Sequence, residues 1–176
     1  SRVVCEALAR HYDLTLILNQ SNVGHGPALH QGIAEATTPY VFTLDSDTET
    51  RQGGFVEKML AEFSADPLLL AIGWLRYVNL NGVAMPRQEL KQGIPYVHPF
   101  AAMFDVTKYR QLRPFVHTGA PAINLMQDAI AHSFHLKSFP IEKYIWHKEA
   151  GTRGLFDGAF KVPAGAAPGK WRHHKV

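Results

Sequence analysis

Two continuous apolar runs limit what this chain can fold into. "LTLILN" (14–19) and "YVFTLD" (40–45) are of strand length, and neither alternates polar with apolar residues. Runs of that kind are strands covered on both faces. Helical patterns stand around them. "RVVCEALARHY" puts Val3, Val4, Ala7 and Leu8 on one helix face, and "SNVGHGPALHQGIAEAT" reads as a glycine loop followed by a helix with Pro27 in its first turn. "GFVEKMLAEFSADP" spaces Phe55, Val56, Met59, Leu60 and Phe63 as a helix that stops at Asp66-Pro67. A strand "LLLAIGWLRYVN" follows, closed by a turn at Asn81-Gly82. The order α-β-α-β-α-β predicts an α/β fold with a mixed, largely parallel sheet and helices on both faces. The second half is more mixed. A strand at "YVHPFAAMFDV", a helix at "PAINLMQDAIAHSF" and a last strand "KSFPIEKYIWH" ending on His147 are predicted. In such folds ligands bind at the carboxyl ends of strands, where Asp45 and His147 are expected.

Composition narrows the function classes. The formal charge is +3, with basic residues scattered until the tail "GKWRHHKV", so nucleic acid is not an expected partner. The single cysteine, Cys5, permits no disulfide within the chain and is read as a small core residue. No apolar run reaches the length of a membrane span, and no signal peptide is evident. The expected location is therefore cytoplasmic, the inner membrane surface included.

"VFTLDSDTE" raises the question of function. Asp45 and Asp47 follow an apolar strand and, in extended backbone, share one side. They could form a solvated turn, since Asp and Ser are turn residues. They could equally supply hard oxygen donors to Mg²⁺ or Mn²⁺. The triplet alone does not decide. A longer register does: Asn22, Gly24, Ala28, Gly32, Ala36, Tyr40, Asp45 and Asp47 stand at fixed intervals over "NVGHGPALHQGIAEATTPYVFTLDSD". This register resembles glycosyltransferase family two, inverting enzymes of the GT-A fold.

The resemblance implies roles. Asn22, Gly24, Asp45, Ser46 and Asp47 would meet the nucleotide-sugar donor. Asp47, with Asp45 and a late histidine, His147, would hold Mn²⁺ or Mg²⁺, and the imidazole tilts the choice towards Mn²⁺ over Ca²⁺. Asp128 matches the second acid of the family's acidic pair and would be the general base, while Gln127 replaces the first. Asp105 and Glu142 are the other candidates. His98, read from its place at a strand entry, is either a contact to the acceptor (a glycan, a lipid-linked sugar or a small molecule) or a core or edge histidine. Trp74, Tyr77 and Trp146 are core residues or platforms for sugar rings. His132 and His135 read as a surface helix end rather than zinc ligands.

The resemblance covers 1–154, taken as a partial GT-A-like domain, with 155–176 as a flexible loop and basic tail. The family begins with two more strands, which meet the nucleobase. Residue 1 falls after them, so the chain is expected to be truncated at its amino end. "LTLILN" would then form an open sheet edge, covered by a homo-oligomer or by a longer natural protein. The glycine-rich stretch 149–158 is expected to close over the donor. No processive-synthase signature is present, so transfer of single sugars is expected. Two other classes compete: a non-catalytic binding module derived from a glycosyltransferase, and a nucleotidyltransferase.

Overall fold

The computed structural model describes residues 2–116 and 119–148. The expected closing segment 149–158 and tail 155–176 lie outside the described residues. Five helices are described: α1 (Arg2–His11), α2 (His25–Glu35), α3 (Phe55–Ala65), α4 (Val106–Tyr109) and α5 (Ile123–Ala131). The strands are β1 (Tyr40–Leu44), β2 (Thr48–Thr50), β3 (Leu69–Val78), β4 (Ile94–Asp105), β5 (His135–Ser138) and β6 (Ile145–His147). None of the described helices is long and apolar enough to cross a membrane.

The fold is mixed α/β, as expected for a GT-A-like domain, but its main sheet is mostly antiparallel. The strand order is β1-β4-β3-β5, and only β3 and β5 run parallel. The largely parallel sheet read from the sequence is therefore corrected. The physical reason is that an apolar run buried on both faces carries no mark of its direction. Here β4 comes back between β1 and β3, so those two strands are parallel to each other without touching. A second sheet of two short strands pairs β2 with β6.

Helices cover both faces. Met59 and Phe63 of α3 pack with Leu69, Ile72, Ala101 and Met103 on one side. Ile33 of α2 and Leu125 and Met126 of α5 pack with Leu70, Ala102 and Phe104 on the other. Thr43 is a buried polar group within β1, and its hydroxyl donates to the carbonyls of Pro99 and Ala102.

Three further expectations are corrected. Residues 14–19 form no strand, and no described segment pairs with them. A strand exists only through its ladder, and β-propensity cannot supply a partner. Among the described residues the sheet edge expected there does not form. The stretch is tied to α2 by reciprocal amide bonds between Asn19 and Gln31, at 2.8 and 3.1 Å. Leu14, Leu16, Ile17 and Leu18 are exposed, as are Val3, Val4 and Leu8 of α1. Cys5 is exposed rather than a core residue. The single last strand is two, β5 and β6, separated by a 3₁₀ turn over Ile141–Lys143 that follows Pro140.

Gly73 explains how closely β3 and β4 approach. A Cβ there would lie 3.0 Å from the Ala102 Cβ and 3.1 Å from the Ala101 carbonyl oxygen, beside the bulge between Gly73 and Leu75. Backbone on that side cannot yield easily, so Gly73→Ala is expected to cost about 1–3 kcal/mol by overpacking. Gly53→Ala, with nothing within 4 Å, is the control. Urea unfolding of the two variants checks this.

Candidate metal and donor site

β1 ends at Leu44, and its ladder continues one step further, with the Asp45 N–H donating to the Phe100 carbonyl at 2.8 Å. The chain then turns. The Thr48 hydroxyl donates to the Asp45 carbonyl at 2.7 Å and closes the Asp-Ser-Asp turn. From there β2 runs antiparallel to β6, with Thr48 opposite His147. The Lys148 N–H donates to the Asp47 carbonyl at 2.8 Å. This short pairing brings a residue from the far end of the fold to the aspartates.

Asp45, Asp47 and His147 offer one ligand atom each, all within 4.8 Å of one another. His147 Nε2 lies 3.3 Å from Asp47 Oδ1 and 3.8 Å from Asp45 Oδ2. Two carboxylate oxygens and an imidazole nitrogen suit a divalent cation such as Mg²⁺ or Mn²⁺. Burial works against ionising Asp45, but the imidazoles of His147 and His25 outweigh it. Its carboxyl is held well below the ordinary range, so it is a carboxylate at neutral pH.

The loop residues read from the sequence shape this site through the backbone. The Asn22 side-chain oxygen accepts from the Gly24 N–H at 2.9 Å, making a local turn. Gly24 has φ +89°, which favours glycine. The loop delivers the first residue of α2, His25, to Asp45, with Nε2 3.2 Å from Oδ1. That bond to Asp45 raises the His25 pKa against the effect of burial. Sequence reasoning missed His25. It stood inside the quoted loop, but nothing in spacing marks a contact with a residue twenty positions on. Ser46 is exposed at the tip of the turn.

His98 lies beside this centre in an aromatic cluster. Its ring centroid is 5.4 Å from that of Phe100, whose ring is 5.1 Å from His147. Trp74 and Tyr96 pack on its other sides. Arg76 covers Trp74, its guanidinium carbon 3.9 Å from the ring centroid. The His98 Nδ1 accepts from the Phe100 N–H at 3.3 Å, which leaves the Nε2–H as a donor. Burial pushes this imidazole down to about 4, and the Arg76 charge adds to the effect.

Asp128 is not in the three-residue grouping. It lies on α5, where both of its oxygens accept from the Arg113 side chain, at 2.7 to 3.0 Å, and one accepts from the Arg113 N–H at 2.9 Å. Those bonds hold its carboxyl below the ordinary range. Asp105 caps α4 and pairs with Lys108. Glu142 lies in the 3₁₀ turn between β5 and β6. His132 Nδ1 meets the Asp128 carbonyl and His135 meets Asp66, so those two histidines have separate partners.

Residues 1–133 match the family model described as Glycosyl transferase family 2. No curated protein matches the chain.

His98 has a pH consequence. An unfolded histidine titrates near 6.5, and the folded one near 4. As pH falls through that window the unfolded state takes up the proton first, so stability is lost. It is fully present above pH 6.5. The expected loss between pH 7 and 4.5 is about 2–3 kcal/mol from this group. Urea titrations at both pH values check it, because His98→Phe should remove that share of the pH dependence.

Proposed function

The chain belongs to glycosyltransferase family 2, and on that premise we propose that it moves a single sugar from a nucleotide-sugar donor to an acceptor hydroxyl, with inversion. The observation that carries the reading is the convergence of Asp45, Asp47 and His147 at the end of β1. Mn²⁺ or Mg²⁺ bound by these residues would neutralise the negative charge that develops on the departing diphosphate. Asp45 contributes a carboxylate kept ionised by its neighbours. Asp47 and His147 are held face to face by the β2–β6 pairing. The loop from Asn22 to Gly24 places the start of α2 against the same turn, on the side proposed for the donor.

The acceptor side is proposed to run along the aromatic cluster. His98 is neutral at physiological pH, and its lone pair at Nδ1 is already used. It can therefore donate a hydrogen bond from Nε2 to an acceptor oxygen, but it cannot serve as the base. The proposed base is Asp128, by resemblance. Taking a proton would require its ion pair with Arg113 to open first, because that pair occupies both oxygens.

Two experiments test these assignments. Release of nucleoside diphosphate from a panel of sugar nucleotides, with Mn²⁺ present, should be detectable in the wild type. It should fall about 10²- to 10³-fold in Asp47→Ala, the scale for losing one group that stabilises developing charge. No turnover with any donor would sink the reading in favour of a non-catalytic module. For the base, Asp128→Asn should lower transfer by about 10²- to 10⁴-fold with donor binding kept. Arg113→Gln, which frees the carboxylate, should retain transfer. If both variants instead lose only stability and still turn over, Asp128 is a structural partner of Arg113 and not the base.

A further inference from the structure

We propose that His25 is a positioning residue for the metal centre: it clamps one carboxylate oxygen of Asp45 so that the other is presented beside Asp47 and His147. The inference rests on the reading of Asp45, Asp47 and His147 as metal ligands, and it adds a residue from a different element to that centre.

The geometry leaves the orientation of the Asp45 carboxylate to its side-chain contacts. The Asp45 backbone is held at both ends, its N–H by the Phe100 carbonyl and its own carbonyl by the Thr48 hydroxyl. The side chain keeps its two torsions, and the one that decides which oxygen faces the centre is rotation about its last bond, a broad torsion with little preference of its own. His25 Nε2, 3.2 Å from Oδ1, removes that freedom. Oδ2 is then the oxygen that faces His147 Nε2, at 3.8 Å. His147 in turn lies 3.3 Å from Asp47 Oδ1. The clamp is itself built. Gly24, in its positive-φ conformation, and the Asn22 turn fix where α2 begins, and His25 is its first residue. A ligand oriented before the cation arrives loses less freedom on binding it, which is how partners behind a ligand raise affinity.

The test measures Mn²⁺ binding by electron paramagnetic resonance, with Mn²⁺ alone as the probe, on the full chain. His25→Ala should weaken binding about 10- to 100-fold, the usual scale for losing such a partner. His25→Gln, whose amide N–H can take the same bond, should recover most of it. Thermal unfolding should show both variants folded. On an Asp45→Ala background, His25→Ala should add no further loss, because its effect passes through Asp45. Wild-type affinity in His25→Ala, alongside lost affinity in Asp47→Ala, overturns the role of His25 and leaves the metal centre standing. A further full loss on the Asp45→Ala background also overturns it, since His25 would then be touching the ion itself. Wild-type affinity in Asp47→Ala overturns the metal centre and this inference with it.

Discussion

β4 is the strand on which the rest of the structure depends. It is paired along both edges, to β1 and to β3, and is buried over most of its length. Its register sets the site as much as the core. The Phe100 carbonyl receives the Asp45 N–H, and the Phe100 ring abuts His147. His98, two residues earlier, continues the same cluster. A slip of one residue in this strand would exchange its two faces and take Phe100 away from both partners.

The site forms where one sheet hands over to another. β1 ends against β4, the chain turns through Asp45, Ser46 and Asp47, and β2 begins a separate pairing with β6. The turn therefore has two duties. It redirects the backbone, and it gathers carboxylates where strand ladders no longer occupy the space. Imidazoles from both sides, His25 from α2 and His147 from β6, meet the resulting negative charge. That is why two acidic side chains can stand close together, partly buried, in a folded chain.

How much of this was legible depended on whether a residue's meaning was local. The helices at α1, α2, α3 and α5 were visible as periodicity, and β1, β3 and β4 as apolar runs. Asp45, Asp47 and His147 could be marked because their strand-end positions coincide with the register from Asn22 to Asp47 and the family resemblance it carries. Their convergence could not be read from spacing, because it depends on the Thr48–His147 pairing. Strand direction was illegible for the same reason: residues buried on both faces look alike whichever way the neighbour runs. The stretch 14–19 had strand propensity but no described partner, and propensity alone misled. His25 lacked any local sign. Asp128 could be placed on a helix, but its ion pair with Arg113, from a loop fifteen residues earlier, had no signature.

The β2–β6 pairing gives the centre a topological character. Asp47 and His147 are separated by about a hundred residues of chain, and bringing two such points together costs an unfolded chain about 4 kcal/mol of closure entropy. The folded core has already met that cost through β4 and its neighbours. Two strands of three residues each then suffice to hold the final approach. A cation held by Asp47 and His147 would act as a cross-link between the turn after β1 and the last described strand. It would favour chains in which the span between has folded, and its binding would stabilise them by mass action. Occupancy of the site would then double as a report on the integrity of everything from β2 to β6.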